Sequence, residues 1–138
     1  MGVFKTDTPN IHAVRSARKI DWMVHNVLNP KAKTYNSIKN NNIVIKHCVG
    51  VDKSEAVAVR AGISGNNDLI WIGKVPSFAA KLSDIRKHPY ELYISKDYYD
   101  KIGASNQSPD GKNIWVAEIF EYAGSKYIVY KTNNPLKP

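Results

Sequence analysis

Residues 68–82, DLIWIGKVPSFAAKL, decide how this chain is read, because they pass from strand chemistry to helix chemistry through one glycine. Residues 69–72 form a short apolar run suited to a buried strand, Gly73 permits a tight turn, and Pro76 is tolerated in the first turn of a helix. Ser77 and Lys81 then stand four residues apart, on one helical face. Spacing alone makes such a pair a solvated face.

Upstream, Gly65, Asn66 and Asn67 suit a turn with positive φ, so residues 55–64 and the quoted strand pair as a β-hairpin. Alternation puts Val57, Val59 and Ala61 on one side of that arm and Ala58 and Arg60 on the other, with Arg60 toward solvent or an interface. Residues 43–51 read as a further strand, joined through Asp52, Lys53 and Ser54. Thr8 and Pro9 supply a cap and a first-turn proline for a helix reaching Asn29, and Pro30 breaks or restarts it. Met1 to Phe4 reads as a strand entered in mid-domain.

Downstream, the pattern gives a helix over 76–85, a strand over 90–94, and a helix capped by Ser95 that runs to Ile102 and stops at Gly103. A polar loop follows at 105–113, then strands at 114–122 and 126–131 that turn at Ala123, Gly124 and Ser125. The last four residues, 135–138, read as a frayed tail. Helices alternate with hairpins, so the class is α+β with a mostly antiparallel sheet flanked by helices.

At 138 residues and 43% hydrophobic content the chain makes one domain, 1–138, with one core. It has no apolar run of membrane-spanning length and no secretory leader, which reads as cytoplasmic and without a membrane partner. The net charge of +8 favours an anionic partner: nucleic acid, an acidic membrane surface or a polyphosphate metabolite. The basic residues are scattered, and no zinc-finger or RNA-recognition spacing occurs, so a nucleic-acid partner is not expected. Tyr98 and Tyr99 read as one buried and one exposed helix aromatic, and the lone Cys48 as a small core residue. His12, His25, His47 and His88 match no tight metal motif and read as surface or satisfied histidines, and Asp97 and Asp100 sit where a helix start favours acids.

The order of the helix ARKIDWMVHNVLNP, the hairpin GVDKSEAVAVRAGISGNNDLIWIG, the helix KVPSFAAKLSDIR and the segment YELYISKDYYDKI resembles the later part of a class III nucleotidyl cyclase domain. Within that family the wording NDLIWIG followed by AAKLSDIR is most similar to the bacterial Pycsar pyrimidine cyclases, which make cyclic UMP or cyclic CMP as an antiphage signal. The resemblance covers nearly the whole chain. It implies a ferredoxin-like core, UTP or CTP as substrate, and a head-to-tail homodimer with composite active sites.

In such a site one subunit brings two metal-binding aspartates, and the other brings a polar and a basic residue from the helix after the glycine. The resemblance places Ser77 where the family has a ribose-orienting Asn and Lys81 where it has a transition-state Arg. Serine makes fewer hydrogen bonds, and lysine offers a point charge in place of a bidentate fork. It places Asp68 and Ile70 on the strand lining the base pocket, where an apolar Ile70 does not exclude a pyrimidine; Asp68 reads equally well as a turn residue. A divalent cation, Mn²⁺ or Mg²⁺, is expected for the intact domain. No ligands for it are evident: both metal aspartates would precede Met1, Asp7 follows the first strand, and Asp21 lies within a helix. The expectation is an N-terminally truncated cyclase, inactive by itself. A silent dimerisation or nucleotide-binding module, and a purine cyclase acting on ATP or GTP, stand as alternatives.

Overall fold

A computed structural model describes residues 2–4, 9–63, 66–102 and 111–138, with backbone alone at 9, 61–63, 66–69 and 75. Helix α1 (Pro9–Met23) passes through a π-helical turn (Val24–Leu28) into the short α2 (Asn29–Ala32), followed by α3 (Asn36–Asn40). Then come β1 (Val49–Val51), the hairpin β2 (Val57–Ile63) and β3 (Asn66–Ile72), α4 (Lys74–Ser83), β4 (Leu92–Ser95), α5 (Lys96–Ile102), β5 (Val116–Tyr122) and β6 (Ser125–Thr132).

Four strands form the main sheet in the order β1-β4-β6-β5, and β2 and β3 form a two-stranded sheet of their own. Strand β1 lies parallel to β4, while β4/β6, β5/β6 and β2/β3 are antiparallel. The expected α+β class with mostly antiparallel pairing is what the chain adopts. The hairpin and α4 together make the crossover that a parallel β1/β4 pair requires.

Strand β4 is buried at every residue because both sheet faces are covered. Leu92 and Ile94 pack with Val14 and Ala17 of α1, Tyr98 and Ile102 of α5, and Trp115. Tyr93 points the other way, into Phe78 and Leu82 of α4 and Val129 of β6. Successive side chains of a strand alternate faces, so an unbroken apolar run is what a doubly covered strand needs. Burial of each large side chain contributes about 1.5–3 kcal/mol. Cys48, half-buried at the edge of the Phe78 cluster, has its thiol pushed up by burial, in keeping with a core role.

Two close approaches fix α4. Gly50 in β1 lies so near the helix that a Cβ there would meet the Ala79 carbonyl oxygen at 2.0 Å and the Ser83 nitrogen at 2.6 Å. Gly73, the residue before α4, has φ 150° and ψ 177°, a backbone state open to glycine and almost nothing else.

Several expectations need correction. Gly2–Phe4 form no strand. Residues 43–48 are not strand either; Ile43, Val44 and Ile45 stand exposed, and β1 is only three residues long and pairs with β4 rather than β2. The run 69–72 is not a buried strand, since β3 pairs with β2 alone and leaves Ile70 and Ile72 about half exposed. Pro30 neither ends nor restarts the first helix abruptly. It has no N–H to give, and the π turn ahead of it, closed by Asn29 N–H to the Val24 carbonyl, carries the chain into α2.

The tail is held rather than frayed: Leu136 N–H donates to the Arg18 carbonyl, and the buried Arg18 guanidinium donates to Asn134 at 2.9 and 2.6 Å. Tyr99 is half-buried, stacked on Tyr130 with ring centroids 3.6 Å apart. The Ser95 cap is as expected, its hydroxyl accepting from Tyr98 N–H at 3.2 Å. Asp7, Gly65, Gly103 and the loop tip at 105–110 lie outside the described residues.

Candidate functional site

Helix α4 sorts its residues by period. Phe78 and Leu82 face the sheet and are buried; Ser77 and Lys81 face out and are exposed. Among the described residues the Ser77 hydroxyl makes only a long 3.4 Å contact back to the Gly73 carbonyl, and Lys81 Nζ stands 4.0 Å from Asp84 with both side chains half exposed. Each is therefore available to a ligand. The structure puts the pair on one face, as the spacing requires.

The hairpin supplies the neighbouring surface. Val57 pairs with Ile72 and Val59 with Ile70, so these four side chains share one face of the arm, and all four are exposed, from 39% to 63%. Asp68 pairs with Ala61 through its backbone, and its side chain lies outside the described residues. Among the described residues, Ile70, Ser77 and Lys81 line neither of the two main cavities. A cavity of about 290 Å³ lies elsewhere, where Lys53, Lys74, Lys96 and Lys126 are accompanied by Asp52 and Asp97.

A second constellation was not legible from spacing. Asp21 of α1, His47 just ahead of β1 and Glu91 just ahead of β4 bring one donor atom each to within 4.8 Å of one another. His25, in the π turn, sits at the mouth with Nε2 2.7 Å from Glu91 Oε2 and 3.2 Å from Asp21 Oδ1. Burial pushes the Asp21 carboxyl up to about 7, with the hydrogen bond to Glu91 and that carboxylate's charge acting in the same direction. The hydrogen bond to Glu91 raises His25, while burial lowers His47. His47 is thus no satisfied histidine: both its ring nitrogens are buried without a hydrogen-bond partner. One signal could have found the cluster. Asp21 falls on the stripe of Val14, Ala17 and Val24, where a carboxylate has no reason to be unless something meets it.

No family model matches the chain. Curated relatives do: it is 34% identical over 141 residues to a uridylate cyclase of Rhodovulum sp. (strain MB263), which takes in 100% of this chain and 59% of the relative. It is 34% identical to a uridylate cyclase of Burkholderia cepacia, over 90% of this chain and 52% of that protein, and 31% identical to one of Xanthomonas perforans, over 83% and 48%. The chain superposes on the crystal structure of the guanylyl cyclase Cya2 with a TM-score of 0.70 at 10% identity, covering 97% of this chain and 62% of that one, a likeness of fold. The chain belongs to the class III nucleotidyl cyclases. It spans between about half and three-fifths of the length of the curated relatives it matches.

The class III cyclase fold implies use of a divalent metal. Hard catalytic cations such as Mg²⁺ take oxygen donors. The Asp21, His47, Glu91 cluster includes an imidazole, and Asp21 belongs to α1, on the opposite sheet face from α4. That cluster does not fit the catalytic cations, and no step is derived through them.

Proposed function

We propose that this chain is the nucleotide-facing part of a cytoplasmic pyrimidine cyclase that converts UTP to 3′,5′-cyclic UMP and pyrophosphate, the product serving as an antiphage second messenger. The observation that carries the reading is the run of identity to uridylate cyclases along the whole chain. The ribose 3′-oxygen attacks the α-phosphorus, the bond to the bridging oxygen of the β-phosphate breaks, pyrophosphate leaves, and the 3′-hydroxyl proton passes to solvent.

From this chain, Ser77 orients the ribose, Lys81 offsets charge developing at the transferring phosphorus, and Ile70 with Asp68 lines the base pocket. The outward placement of Ser77 and Lys81 supports a site completed by a second subunit. So does the exposed apolar face of the hairpin, Val57, Val59, Ile70 and Ile72, which suits a head-to-tail homodimer.

The test incubates the chain, alone and preceded by the residues encoded ahead of it, with Mn²⁺ and each of the four nucleoside triphosphates, and identifies the product by mass. Cyclic UMP from UTP is expected. Lys81→Ala should lower turnover by about 10²–10³-fold, the scale of removing one charge-stabilising donor, with Lys81→Arg keeping more of it. Cyclic CMP or a purine product would move the specificity, and unchanged turnover in Lys81→Ala would remove Lys81 from the mechanism.

A further inference from the structure

Asp21, His47 and Glu91 come from three separate elements, yet their donor atoms converge inside the protein. Asp21 is 4% exposed, and its buried Oδ1 makes no bond of hydrogen-bond geometry although His25 Nε2 stands 3.2 Å and His47 Nε2 3.6 Å away. Both nitrogens of His47 are orphaned as well. A buried polar atom left unpaired is destabilising, and His47 Nε2 and Asp21 Oδ1, 3.6 Å apart, converge with a Glu91 oxygen on a space that a shared ligand would fill. Two carboxylates side by side add repulsion, which a proton held between them and the neighbouring His25 relieve when no ion is bound and a bound cation would relieve in their place.

We propose that Asp21, His47 and Glu91 bind a divalent first-row transition cation, with Zn²⁺ the best match, and that this ion ties α1 to the entries of β1 and β4. The donor chemistry selects the ion. One imidazole and two carboxylates are the borderline set that zinc accepts, whereas Mg²⁺ and Ca²⁺ call for oxygen throughout.

The geometry agrees. Bonds of about 2.0–2.1 Å in a tetrahedron place donors roughly 3.4 Å apart, and His47 Nε2 already stands 3.6 Å from Asp21 Oδ1. The His25 ring, 48% exposed, presents Nε2 to both carboxylates and can serve as the fourth ligand by giving its proton to solvent. Tied in this way, the three elements could not separate without losing the ion. The inference stands independently of the reaction proposed above.

The experiment treats the 138-residue chain with a chelator, removes the chelator, and titrates in Zn²⁺ alone while heat of binding and thermal midpoint are followed. One equivalent should bind, and at a free concentration a hundredfold above Kd the midpoint should rise by roughly 10 °C. Co²⁺ in its place should show the visible absorption of a tetrahedral site. His47→Gln should weaken binding more than about 100-fold, and His12→Gln, at an exposed helical position, should leave it unchanged.

Should His47→Gln fail to fold, X-ray absorption of the zinc-loaded wild-type chain decides: imidazole together with oxygen in the first shell supports the site, and an all-oxygen shell overturns it. Absence of binding, or binding that His47→Gln leaves intact, overturns it too.

Discussion

Gly50→Ala isolates what holds the proposed half-site in place. The added Cβ would lie 2.0 Å from the Ala79 carbonyl oxygen, 2.6 Å from the Ser83 nitrogen and 2.8 Å from Leu82 Cβ. Two of those atoms are backbone and cannot rotate away, so β1 and α4 must part by more than about 1 Å to restore a contact near 3.5 Å. Overpacking of this kind costs about 1–3 kcal/mol. Separation also loosens Phe78 and Leu82, whose full burial contributes about 1.5–3 kcal/mol each. The expected loss is therefore at least about 3 kcal/mol, a large part of the 5–15 kcal/mol that holds a typical domain.

The assay is urea unfolding followed by tryptophan fluorescence, with amide exchange reporting on α4. Gly124→Ala is the control: its Cβ would meet nothing within 4 Å, and φ of 74° adds only left-handed strain of about 1 kcal/mol. A Gly50→Ala protein within about 0.5 kcal/mol of wild type, or no less stable than Gly124→Ala, would refute the close-approach argument. It would also remove the reason why α4, and with it Ser77 and Lys81, is held in one orientation.

Two further outcomes are expected. Glu118 accepts from Lys131 at 2.7 Å and Lys87 at 2.6 Å, and these bonds hold its carboxyl below the ordinary glutamate range. The stabilisation, up to about 1 kcal/mol for a partly exposed pair, is present above the unfolded-state pKa near 4.3 and is lost as pH falls through the lower folded value. Unfolding midpoints of wild type and Glu118→Gln should therefore differ at neutral pH and converge in acid; a gap constant with pH would count against it. On the homodimer proposed for the hairpin, Val59→Asp should shift sedimentation from dimer to monomer with little change in thermal midpoint, because Val59 is already 39% exposed in one chain. Sedimentation identical to wild type would rule the hairpin face out as the contact.

How much of this could be read beforehand depended on how local the cause was. The glycine before α4, the Ser95 cap and the turn at Ala123 and Gly124 were legible because a few adjacent residues impose each of them, and so was the hairpin, although Asn66 and Asn67, expected in its turn, are the first residues of β3, paired with Ile63 and Gly62. The two apolar runs misread as extended or buried strands, residues 43–48 and 69–72, show the limit: hydrophobicity says that a segment seeks a partner, not whether this chain supplies one. Both runs leave apolar side chains exposed, and for the second the hairpin register lines them up on one face. The site divides in the same way. Ser77 and Lys81 follow from a spacing of four, whereas Asp21, His47 and Glu91 are separated by 26 and 44 positions (47 − 21 and 91 − 47) and meet only because β1 and β4 pair in parallel. That pairing sets the Val49 amide on the Glu91 carbonyl at 2.8 Å, which brings the residues ahead of both strands beneath α1. A parallel pair aligns the beginnings of two distant strands, so it can gather ligands that no sequence motif joins.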